Sequence, residues 1–346
     1  MTAPAEGTAY PRLAHLRAPW SRWWRPLLAI GVAILAYVVL AQILVVAVVL
    51  VLPLLPGTDP ELGMALGDPA SPLDVTMALL MGALWWPSAL LGVRVGGWRP
   101  ARWLWSVTGA FRTGLLRAAA LPVLGASLLG TVLVTLLVAL LDPSPGASPS
   151  ATGPALAAAV LATVLGTAKA IGAELALRGL ALQAVGTWLR SPWLTVPVAT
   201  LLALPAAEPT APGLLIAAAM GLACGYLAWR SGGLELPILL SASLTVSGGL
   251  VAAVMRILEG WVNPILFPGP DLAIGLQKAQ LGSTASGAAG IPGIASATVL
   301  GAAGIGVLAL LIAAALGWWI GRREGLRPGE PVRRAADAPA PELLAV

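Results

Sequence analysis

Cysteine and histidine are almost missing from this 346-residue sequence, which has one of each, Cys224 and His15. A single cysteine rules out an intramolecular disulfide and leaves a thiolate metal site without a second sulfur ligand. A single histidine, set in an Arg-rich N-terminal stretch, removes most histidine-based metal and general-base chemistry before any motif is considered. Charge is also scarce, at 10% of residues, against 58% hydrophobic residues and a mean hydropathy of +0.88. A chain this apolar has no soluble composition, so lipid is its solvent.

What is abundant is long apolar runs. They are continuous rather than alternating, so the bilayer's demand for internal backbone hydrogen bonding is met by helices and not by a barrel. The expected fold is all-α, a polytopic integral membrane helical bundle. At about twenty residues per crossing, eight spans fall near 28–53, 74–94, 118–141, 155–173, 192–207, 213–229, 235–255 and 297–320. The first run follows Arg12, Arg17, Arg22 and Arg25 and is far longer than a cleaved signal core, so it reads as a signal anchor.

Basic residues fix the expected orientation. With the N-terminus inside, Arg94, Arg99, Arg102, Arg112, Arg117, Arg190, Arg230 and the five arginines of the tail join the first four on the cytoplasmic side. Only Arg256 and Lys278 fall outside, a strong positive-inside bias with both termini cytoplasmic. The basic residues lie beside spans, so anionic lipid accounts for the pI near 10.1 and no nucleic-acid partner is expected. The segments expected are a cytoplasmic tail at 1–26, a membrane domain at 27–321 with an outer loop at about 257–295, and a disordered cytoplasmic tail at 322–346. Segment 97–117 reads equally as an amphipathic surface stretch or an ordinary loop.

Ionisable groups inside spans are costly and ask for a reason. Lys169, Glu174 and Arg178 stand out; Glu174 and Arg178 are four apart and share a helix face, as a packing ion pair or as catalytic groups. Glu208 is an isolated carboxylate between Pro205 and Pro209, either a wetted helix end or a ligand. Ser241, Ser243, Thr245 and Ser247 punctuate the helix after Glu235; like Gly221 with Gly225, they suit close helix contact. Residues 155–190 make one helical pattern of about 54 Å, which must tilt, emerge or break, with Gly172 or Gly179 as candidate breaks.

The string GLACGYLAWRSGGLELPILLSASLT, Gly221 to Thr245, resembles the closing motif of the CPBP family of intramembrane metalloproteases, which includes CAAX prenyl endopeptidases and bacteriocin-processing proteins. The resemblance covers about 155–250. That family carries Glu-Glu-x-x-x-Arg, then Phe-x-x-x-His, then His-x-x-x-Asn, and its first Glu is thought to activate a metal-bound water. Carried over, the first motif falls on Ala173, Glu174 and Arg178, followed by Gly179; the second on Leu204 and Glu208; the third on Ser241 and Thr245.

The retained Glu174 and Arg178 are the candidate catalytic positions, Glu208 the candidate metal ligand, and Ala173, Ser241 and Thr245 the degenerate ones. With the histidines and first Glu replaced, the resemblance implies a multi-pass cell-membrane pseudoprotease that binds a membrane peptide or partner helix and needs no cofactor. The alternative is an active metalloendopeptidase using zinc or another divalent metal at an altered site. A third reading, a small-molecule transporter, rests on Pro205, Gly172 and Gly179 alone. If the resemblance holds, 174, 178, 208, 241 and 245 surround one cavity.

Overall fold

Long runs of Leu, Val and Ala punctuated by Gly favour helices that approach closely where the glycines fall. The computed structural model describes residues 7–17, 19–54, 72–96, 101–141, 152–207, 209–259 and 292–335. Its helices are α1 (Arg25–Val51), α2 (Pro72–Ala83), α3 (Trp85–Val95), α4 (Thr113–Leu141), α5 (Thr152–Glu174), α6 (Leu182–Trp188), α7 (Pro192–Ala203), α8 (Ala211–Ser231), α9 (Glu235–Glu259) and α10 (Pro292–Arg323). Two three-residue strands, β1 (Gly7–Ala9) and β2 (Arg333–Ala335), complete it.

Among the described residues, seven helical stretches are long and apolar enough to cross a membrane: Arg25–Val51, Val75–Val95, Thr113–Leu141, Ala159–Trp188, Ala211–Ser231, Glu235–Met255 and Val299–Arg323. The expected span at 192–207 is instead the 12-residue α7 and a short 3-10 turn, Leu204–Ala206. Pro205 accounts for the early end, since proline cannot supply the backbone N–H that a continuing helix needs. Large apolar side chains remain exposed along α1 (Leu35, Ile43, Leu50), α4 and α10, as a lipid-facing surface requires.

α5 is the central element, between α2 and α3 on one side and α9 on the other. A Cβ on Gly172 would stand 2.7 Å from Gly82 O, and one on Gly166 would stand 2.9 Å from the Thr245 methyl. The expectation that Gly221 and Gly225 serve helix contact matches α7, whose Thr200 and Val196 side chains lie against them. Ser243 also works in packing, its hydroxyl 2.9 Å from Ser127 Oγ of α4.

The long helical run is one continuous element. It continues from Thr152 to Trp188 through a π-helical turn, Leu175–Ala181, which includes Gly179. One extra residue per turn rotates the side chains of α6 about the helix axis relative to those of α5, so the helix changes face without breaking.

The two chain ends meet. β1 pairs antiparallel with β2, Thr8 opposite Arg334. The tail expected to be disordered from 322 is ordered to Ala335: Arg230 donates to Gly317 O and Arg327 O (both 3.2 Å), and Val332 N donates to Arg230 O (3.0 Å). The strands β1 and β2 therefore lie on one face of the bundle.

Segment 101–112 is neither a surface helix nor a loose loop. Trp103 and Leu104 are buried, and Val107 N donates to Gly232 O at 2.8 Å while Leu234 N donates to Trp105 O at 2.8 Å. The expected outer loop lies, at 260–291, outside the described residues, as do 1–6 and 336–346.

The N-terminal 3-10 segment, Tyr10–Leu16, is clamped where α6 offers Gly186, at which any Cβ would collide with Pro11 O. Gly186→Val is expected to release this segment, because backbone cannot yield as a flexible side chain can. Limited trypsin digestion at Arg12 and Arg17 should become at least several-fold faster with the rest of the bundle intact; an unchanged rate would show that the clamp does not hold the segment.

Candidate functional site

The last turn of α5 and the π turn project Lys169, Ala173, Glu174 and Arg178 into a cavity of about 200 Å³ closed by α7, α8 and α9. Ser241 and Thr245 of α9 line the same cavity, with small residues such as Ala199, Gly213 and Gly221 opposite. Five of the six positions singled out from sequence thus lie around one space. The sixth, Glu208, lies outside the described residues.

Glu174 is 1% exposed and Arg178 6%, and the Arg178 Nη1–Glu174 Oε1 distance is 3.2 Å. Arg178 Nη2 donates to Met220 O of α8 at 2.8 Å, so the guanidinium ties the π turn to α8 as well as to its own helix. Glu174 Oε2 is buried without a hydrogen-bond partner. The Cys224 thiol lies beside the carboxylate but donates to Pro237 O, at 3.8 Å. Thr245 Oγ1 donates back to Ser241 O at 2.9 Å, which commits that hydroxyl to its own helix.

This donor set does not suit a catalytic divalent metal. Zinc in such sites takes three N, S or carboxylate ligands, and among the described residues no three His, Cys, Asp or Glu side chains come together. Glu174 is engaged by Arg178, the remaining polar lining groups include neutral hydroxyls, and Lys169 brings a second cationic side chain to the same wall. Ala173 can neither ligate nor move a proton, and Thr245 as a neutral hydroxyl is a weak ligand for a divalent ion.

A second ion pair went unnoticed in the sequence. Glu235, fully buried at the start of α9, accepts from Arg112 N (2.9 Å), Arg112 Nε (2.9 Å) and Arg112 Nη2 (2.8 Å). A sequence separation of 123 between the partners leaves no local signal of their meeting. A carboxylate in the first turn of a helix was the one available hint. The bidentate pair fixes the 101–112 corner to the start of α9.

Fold and cavity define a polytopic membrane protein with an ionisable site between α5, α7, α8 and α9. Residues 154–247 match the family described as Rce1-like, type II CAAX prenyl endopeptidase Rce1-like, and in this segment the chain is similar to that group of intramembrane proteases. No curated protein and no solved structure matches the chain.

Proposed function

We propose that this domain is a pseudoprotease that binds a membrane peptide or a partner helix in the cavity at Glu174 and Arg178. The observation carrying the reading is Ala173. It leaves a methyl group on the cavity wall where the resemblance expects the carboxylate that activates water, next to a Glu whose charge is neutralised by Arg178. The family's water-activating carboxylate is missing there, whereas a mostly apolar cavity of about 200 Å³ between helices suits the side chains of a membrane-embedded segment.

One observation favours an active peptidase instead: Glu174 Oε2 is buried with no partner, and a carboxylate oxygen in that condition can receive a proton. Two measurements separate the readings. Detergent-purified protein should hold no stoichiometric zinc by elemental mass spectrometry, and a photoreactive residue replacing Ala203 on the cavity wall should label a bound peptide while one replacing the outward-facing Leu201 labels lipid. Cleavage of a membrane substrate, abolished by Glu174→Ala, would overturn the proposal.

A further inference from the structure

A second recess opens on the face of the bundle where the chain ends meet. It has a volume of about 390 Å³, within the range of small-ligand sites, and its walls come from four separate segments. The N-terminal segment supplies Arg12 and His15, the connection after α6 supplies Arg190, β2 supplies Arg333, and the buried ring of Trp229 forms part of the wall. Along β2 the side chains alternate, so Arg333 faces the recess while Arg334 stacks on Trp103, 4.5 Å from its ring centroid.

Among the described residues, the charged side chains that line this recess are basic. Among the described residues no Asp or Glu lines it, and Glu330, beside the wall at Gly329, turns its carboxylate to Arg327 N at 3.1 Å. His15 Nε2 stands 3.1 Å from Thr187 O, so the neutral ring donates to α6 and leaves its other nitrogen without a proton. Partial burial of the ring, then Arg12, and to a smaller degree Arg190, hold its pKa below the ordinary value of 6.5. Arg12 and Arg190 both act on the His15 ring, and an anion carrying several acceptor oxygens suits such a basic cluster through bidentate hydrogen bonds.

We propose that the recess bounded by Arg12, His15, Arg190 and Arg333 binds a phosphate group. Two sources share that chemistry, the headgroup of an anionic phospholipid at the membrane surface and a soluble phosphorylated compound. The site is independent of the Glu174 cavity, and it joins both ends of the chain to one ligand.

His15, as the sole histidine, reports on the site without interference in the NMR spectrum of the full-length protein. In nanodiscs of neutral phosphatidylcholine, its pKa should lie below 6.5. Two additions are compared: millimolar glycerol phosphate, and replacement of part of the lipid by phosphatidylglycerol. Binding adds negative charge beside the ring, so the pKa should rise by about one unit. By linkage the anion then binds more tightly as pH falls through that window.

A rise with glycerol phosphate identifies a soluble ligand, and a rise with phosphatidylglycerol alone identifies the headgroup; either supports the proposal. Arg190→Gln, on an exposed connection, should reduce the rise at least threefold, while Arg323→Gln, an exposed arginine outside the recess, should leave it intact. No rise with either anion, or equal loss in both variants, would overturn it.

Discussion

Arg178→Ala is expected to lower the unfolding free energy by about 3–5 kcal/mol, because it leaves the Glu174 carboxylate buried and uncompensated. The substitution also removes the bond to Met220 O, so the π turn loses its tie to α8. The paired change Glu174→Leu with Arg178→Met should recover to within about 1–2 kcal/mol of the native chain, since a buried pair replaced by apolar groups of similar size costs little. Reversible unfolding in mixed detergent micelles measures all three. A single substitution costing under about 1 kcal/mol would mean that the pair is not what holds this turn.

A metal site is expected to return only when two conditions are met together. Ala173→Glu, Glu208→His, Ser241→His and Thr245→Asn supply the residue types of the family motif, yet Lys169 still lines the same cavity. Two unit charges 4 Å apart repel by about 4 kcal/mol at an effective dielectric of 20, and a dication doubles this. The fourfold variant should therefore show little bound zinc, and adding Lys169→Met should raise it toward one ion per chain. Elemental mass spectrometry reads both. Stoichiometric zinc with Lys169 in place would show that the lysine does not guard the cavity.

Composition and span patterning made the helical membrane fold legible, because hydrocarbon leaves the backbone few options. Motif order brought Ala173, Glu174, Arg178, Ser241 and Thr245 to one cavity, and Gly221 and Gly225 to a helix contact, because these features recur at helical spacing. The shape of the 155–190 run was half legible: length demanded an accommodation and Gly179 marked its region, but a π turn has no pattern of its own. Arg112 and Glu235 were invisible as a pair, being joined only after the helices α4 to α8 are in place. The tail at 322–335 misled for a related reason. Its Arg, Pro and Gly content lacks the apolar area to fold alone, and its order comes from Arg230, α10 and β1.

The pairing of Thr8 with Arg334 also has a consequence in time. It closes a loop of roughly 320 residues, among the costliest contacts in chain entropy and the last to be offered during synthesis. At about 5–20 residues per second, residues 7–16 wait roughly 15–65 s before β2 exists. Throughout that interval the arginines beside β1 stand without their final neighbours. A chaperone or protease that reads this exposed basic segment would thereby distinguish a nascent chain from a finished one.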